Sequence, residues 1–217
     1  MLNNPGDAQA PAKLAAQTDL SSRVTEALLE LISAVPKSNE HESSTPDSKA
    51  HTLARAASRT SAGISGGAAL VPGPLGLFTL LPDMFGVWRV QAQMVADIAA
   101  VYGKTATLTK EQMVYCLFKH TASQLLRDVV MRSGERFLVR PVSLRMMQSL
   151  VAKISINIGR RTIGKTVARY APVIGAIGVG GYAYFDTNNV AKAAIDLFSK
   201  ELVLLEGKSS ADQTLPN

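Results

Sequence analysis

The chain has 217 residues, 47% of them hydrophobic but only 6% aromatic, with 23 Lys/Arg against 17 Asp/Glu for a net charge of +6. That length suffices for one core-forming domain with tails, and Ala, Leu, Val and Ile at helical spacing point to an all-α fold. The single cysteine, Cys116, excludes an intrachain disulfide and fits a reducing compartment.

Residues 1–17 read as a disordered tail. MLNNPGDAQAPAK has neither the basic start nor the apolar run of a signal peptide, so the bulk of the chain is expected to face the cytoplasm. A separate N-terminal helix is predicted within residues 18–35, with Leu20, Val24, Leu28, Leu31 and Val35 on one face. The polar, proline-flanked stretch at 36–51 reads as a disordered linker. The compact helical domain then spans 52–206, with a polar tail at 207–217.

Within that domain, Ala54 to Ala69 favour helix until Pro72-Gly73-Pro74 interrupts them. Asp83 is a candidate cap for the next helix, along which Val87, Val90, Met94, Ile98 and Val101 recur at helical spacing until Gly103 stops it. Thr109-x-x-Gln112 reads as a capping box opening a helix through Met113, Leu117, Leu125 and Val129. Leu144, Met147, Val151, Ile154 and Ile158 mark a further amphipathic helix. A last helix is predicted from about Asn188 to Leu205, carrying Val190, Ala194, Leu197 and Leu204.

Two stretches carry no charge. Thr60–Pro82 holds five glycines and three prolines, and Tyr170–Phe185 holds four glycines, one proline and three tyrosines. Spanning a bilayer as one helix takes about 20 apolar residues. Pro72 and Pro74 split the first stretch into halves too short for that, and the second stretch is also short. Each is expected to form an apolar hairpin that either dips into one leaflet or is buried under other helices. The candidate lipid contacts are Leu70, Val71, Leu75, Leu77, Phe78, Val173, Ile174 and Ile177, with Tyr182 and Tyr184 as interfacial anchors. Gly63 and Gly67, with Gly175, Gly178 and Gly180, are candidates for close helix packing.

Between Arg127 and Arg169 lie ten basic side chains against Asp128 and Glu135, an excess of +8 that exceeds the charge of the whole chain. Such a stripe attracts anionic surfaces or forms a solvated helix face. Arg145, Lys153, Arg160, Arg161, Lys165 and Arg169 are the candidate contacts to anionic lipid or to a protein partner. Gly159–Thr166 also matches the phosphate-loop pattern G-x-x-x-x-G-K-[ST]. That motif needs a strand before it inside a parallel sheet, and no alternating strand–helix pattern supplies one. Nucleotide binding is therefore a third reading, ranked behind membrane docking and a protein adaptor and ahead of nucleic-acid binding.

No catalytic constellation emerges. His41, His51 and His120 lack metal-ligand spacing, and no metal or cofactor is expected. Cys116 and His120 stand one helical turn apart, a spacing that packing accounts for. The basic helix lacks the interleaved aromatics of a nucleic-acid binder, and no small-molecule substrate is indicated.

From about Ser58 onward the chain resembles the EcsC family of bacterial proteins. The likeness rests on Gly73-Pro74-Leu75-Gly76, Leu81-Pro82-Asp83, Gln91, Ile98 and Tyr102-Gly103, then on Pro172-Val173-Ile174-Gly175-Ala176-Ile177-Gly178. It covers roughly residues 55–200. It implies a helical, membrane-associated protein of unestablished biochemistry, linked by name to an exporter-associated gene, with no catalytic residues. Tyr182, Asp186 and Asn188-Asn189 stand where members often carry Asn, then Thr followed by basic residues. The leading expectation is a non-enzymatic protein docked on the inner face of the bacterial membrane. The alternative is a soluble helical adaptor whose glycine-rich hairpins are core.

Overall fold

The computed structural model describes residues 9–68, 80–127, 129–134, 136–163 and 172–204. The fold is all-α. In chain order it comprises α1 (Gln9–Ser33), α2 (Pro46–Ala68), α3 (Leu80–Val101), a 3-10 turn (Thr105–Thr107), α4 (Lys110–Leu126), β1 (Val130–Ser133), β2 (Arg136–Val139), α5 (Leu144–Ile163), α6 (Pro172–Phe198) and β3 (Glu201–Leu204). The helices stack in three layers. α1 pairs with α5, α2 pairs with α6 in the most extensive helix contact, and α3 and α4 lie between the two pairs, touching both.

Local signals predicted several boundaries. Thr109 caps α4, its side chain accepting from the Gln112 N–H while the Gln112 side chain accepts from the Thr109 N–H. Gly103, at φ +68°, ends α3; its N–H meets Ala100 O at 2.9 Å and the Lys104 N–H meets Ala99 O at 2.7 Å. Those two bonds are the pair that closes a helix through a left-handed residue. Val87, Met94, Ile98 and Val101 are buried on one side of α3, as are Met113 and Leu117 on α4 and Met147, Val151 and Ile154 on α5. Trp88 meets Phe118 edge-on at 6.0 Å, joining α3 to α4 in the middle layer.

The N-terminal helix is not separate. It begins at Gln9, inside the stretch expected to be disordered, and buries Val24, Leu28, Leu31 and Ile32 in the common core. Pro11 falls in its first turn, where no intrahelical N–H is needed. The expected linker is an ordered strap over the end of α3. Ser38 Oγ donates to Asp97 Oδ1 at 2.6 Å, Gln93 Nε2 to Lys37 O at 3.1 Å, and the Ser43 N–H to Val101 O at 3.0 Å. α2 opens at Pro46 instead of near Thr52, with Asp47 in its first turn accepting from the Tyr102 hydroxyl. Proline at the first helical position and an acid beside it suit the helix start.

Two further expectations are corrected. The second uncharged stretch is no hairpin: from Pro172 it runs straight into the last helix as one element, α6. Leu204, assigned to that helix, lies in β3, which pairs parallel with β2. β1 and β2 form an antiparallel hairpin in part of the basic region, registered Val130↔Val139 to Ser133↔Arg136, with Gly134 at φ +58° opening its two-residue loop. Phe137 is fully buried and stacks edge-on with Tyr115 at 6.2 Å, which ties the sheet to α4.

Candidate functional site

α2 and α3 run antiparallel. Ser65 Oγ donates to Asp83 Oδ1 at 2.9 Å near one end, and Tyr102 reaches Asp47 at the other. Asp83 thus sits in the first turn of α3, which starts at Leu80, and receives a serine from α2. α6 crosses α2 at Gly180. A Cβ there would lie 3.0 Å from Ala62 O and 3.5 Å from Gly66 Cα. Any side chain there would press on the α2 backbone, so glycine suits this close approach. The uncharged stretches therefore meet each other, at the pole where α2 ends, α3 begins and α6 begins.

The packing glycines differ from those expected. Gly63 and Gly67 are exposed, with open space where a Cβ would stand, and the same holds for Gly178. One residue step turns a helix by about 100°. Ala62 and Gly66 thus face α6 while their neighbours face outward. Of the predicted packers, Gly180 makes the close contact, and Gly175 lies in α6 one turn from its start.

Below this crossing lies a polar layer. Gln91, on α3 and fully buried, donates through Nε2 to Asp186 Oδ2 at 2.8 Å and to Thr187 Oγ1 at 3.1 Å on α6. Asp186 Oδ1 meets His120 Nε2 of α4 at 2.7 Å. Just past His120, α4 leaves helical geometry at Ala122, and Asn157 of α5 donates to the Thr121 carbonyl at 3.4 Å. The Ser58 and Ser61 hydroxyls of α2 are buried with no partner among the described residues. The sequence showed His120 only beside Cys116. The available signal was Gln91 and Thr187, polar side chains interrupting two apolar faces.

These groups do not assemble a nucleophile. Cys116 is fully buried and its thiol is pushed far above its ordinary value, chiefly by burial. His120 turns to Asp186 on another helix. Among the described residues no His, Cys, Asp or Glu group of three could hold a metal.

At the opposite end of α6, Asp196 gathers three cations. Lys119 Nζ of α4 lies 3.1 Å from Oδ2, Lys200 bonds Oδ1, and Arg132 Nη1 of β1 stands 3.8 Å from Oδ1. Burial pushes the Asp196 carboxyl up, but hydrogen bonds from Lys200 and Lys119 and their charges outweigh it and hold it below its ordinary value. Burial likewise works against charged Lys119, and its contacts with Tyr115 and Asp196 more than compensate. Arg132 belongs to the basic run between Arg127 and Arg169, whereas Lys119 and Lys200 lie outside it and converge with it only in the folded chain.

The remaining predicted positions divide. Arg145 and Lys153 are exposed on α5, and Arg160 and Arg161 lie in its last turn. Lys165 and Arg169 lie outside the described residues, as do Leu70, Val71, Leu75, Leu77 and Phe78. Val173 and Ile174 fall in the first turn of α6. Farther along that helix Ile177 is 73% exposed and Tyr182 57%, while Tyr184 is half-buried. Phe185, 67% exposed on the same side, was not singled out. Gly159–Ile163 is helical and continues a helix from Leu144, so no strand precedes the phosphate-loop pattern and that reading loses its required context.

Among the described residues no helix is long and apolar enough to cross a membrane. Comparison with protein-family models, with curated proteins and with solved structures finds no match.

Proposed function

We propose that this is a non-enzymatic protein that docks on an anionic membrane surface through the pole where α2 ends and α3 and α6 begin. The observation that carries the reading is the exposed apolar row of Ile177, Tyr182 and Phe185 on α6. It lies within the uncharged stretch Tyr170–Phe185. The basic end of α5, with Arg160 and Arg161, connects to that pole through residues 164–171, a span of at most about 29 Å. Moving one such apolar side chain out of water contributes ~1.5–3 kcal/mol, and each basic group near an anionic surface adds ~1 kcal/mol. The docking site is the inner face of a bacterial membrane, in keeping with the EcsC resemblance of residues 55–200, which is part of the same proposal.

The test is flotation with neutral and anionic vesicles at low and high salt. Co-flotation with anionic vesicles is expected, weakened but not abolished by salt. The Ile177→Asp/Phe185→Asp double variant should lose the salt-resistant part, and Arg160→Glu/Arg161→Glu the salt-sensitive part. No flotation under any condition would overturn the reading.

A second reading, a soluble adaptor for a protein partner, is favoured by the packing of Gly180 against Ala62 and Gly66, which uses glycine-rich residues inside the fold. It requires a protein monodisperse without detergent and indifferent to lipid.

A further inference from the structure

The cations around Asp196 outnumber their acceptors. Lys119, Lys200 and Arg132 come from three separate parts of the chain, and Asp196 is the one carboxylate they share among the described residues. The C-terminus of α6 adds a partial negative charge of roughly one half, so about +1.5 is left over among the described groups.

The donors are also unspent. Arg132 Nε donates to Gly134 O at 3.4 Å, but its Nη1 stands 3.8 Å from Asp196, beyond hydrogen-bond length. Among the described residues most of its guanidinium fork is therefore unengaged. Lys119 gives one donor to Asp196 and stands 5.3 Å from the centre of the Tyr115 ring, which leaves two of its three among the described residues. Among the described residues Lys200 bonds only Asp196, and its ammonium stands 5.7 Å from the centre of the Phe137 ring. Its side chain is only 17% exposed, so it is positioned by packing and does not swing freely in solvent.

We propose that this cluster binds a phosphate-bearing anion, with the Arg132 fork and the Lys119 and Lys200 ammoniums as its donors. A phosphate carries about −1.5 to −2 at neutral pH and several acceptor oxygens, which matches both the residual charge and the unspent donors. Asp196 serves as the positioning residue that holds the two lysines together. Its place, 16 residues beyond Gly180, puts the cluster roughly 24 Å along α6 from the glycine crossing. The proposal therefore stands or falls independently of docking at the other pole.

The phosphate can belong to a soluble phosphorylated compound or to a lipid headgroup, and the experiment has an arm for each. The full chain is titrated with inorganic phosphate against sodium chloride at matched ionic strength, following the thermal midpoint. A saturable rise is expected for the wild type. Arg132→Ala, at a half-exposed position, should weaken it tenfold or more while keeping the native circular dichroism. Arg59→Ala, exposed on α2, should leave it unchanged.

In the second arm the protein meets phosphatidylcholine vesicles with and without phosphatidate. Capture that depends on Arg132 and is competed by inorganic phosphate assigns the site to headgroups. Phosphate binding without such capture assigns it to a soluble compound. A wild type that responds to phosphate no more than to chloride, or an Arg132→Ala variant that titrates like the wild type, overturns the proposal.

Discussion

Gly178 and Gly180 lie two residues apart in α6, yet alanine should stabilise only at the first. At Gly178 a Cβ would enter open space, so the change removes only the entropic cost of a helical glycine. That gain is ~0.5–1 kcal/mol. At Gly180 the same gain is available, but the Cβ would stand 3.0 Å from Ala62 O. A backbone carbonyl cannot rotate away as a side chain does, so α6 must lift from α2 along their main contact. Overpacking of this kind costs ~1–3 kcal/mol.

The two alanine variants should therefore differ by ~1–3 kcal/mol, with Gly178→Ala above the wild type and Gly180→Ala at or below it. In a chain of 217 residues, 1 kcal/mol corresponds to about 2–4 °C in midpoint. Gly180→Val presses two more methyl groups on the same wall and should be lowest of all. Urea unfolding with linear extrapolation measures the series, with the slope checked for constancy. If Gly180→Ala proves as stable as Gly178→Ala, the α2–α6 crossing is not as close as described.

Two other predictions concern the charged contacts. Asp186→Ala leaves His120 unpaired and removes one of the two acceptors of Gln91, at a cost of ~1–3 kcal/mol in urea unfolding. His120→Ala in that background should add less than it does alone; strictly additive costs would show that the pair contributes nothing. Asp196 concerns pH. Burial raises its carboxyl pKa, but the lysine contacts bring it below the ordinary value, so the folded state binds that proton more weakly than the unfolded chain. Its stabilisation is then complete above the ordinary carboxyl range and is lost as pH falls through and below about 4. Asp196→Asn should cost most at neutral pH and converge on the wild type in acid, and a gap that stays constant with pH would contradict this.

The sequence by itself determined what depends on near neighbours. The Thr109–Gln112 box, the stop at Gly103, the helical spacing of Val87 to Val101 and the all-α class are readable because each rests on residues within a turn or two. Thr45-Pro46-Asp47 carried a helix start of the same local kind, obscured by the polar stretch around it. The tertiary structure decided which face each helix presents to a partner. Gly63 and Gly67 match a packing motif as well as Ala62 and Gly66 do, and only the position of α6 selects the second pair. It also decided that α1 joins the core and that Glu201–Leu204 forms a strand, since four apolar-rich residues become one only when β2 offers its edge. His120 with Asp186, and Lys119 with Lys200 and Arg132, are far apart in the chain. They meet, the three cations around Asp196, only because helices and the small sheet with no shared local signal pack side by side.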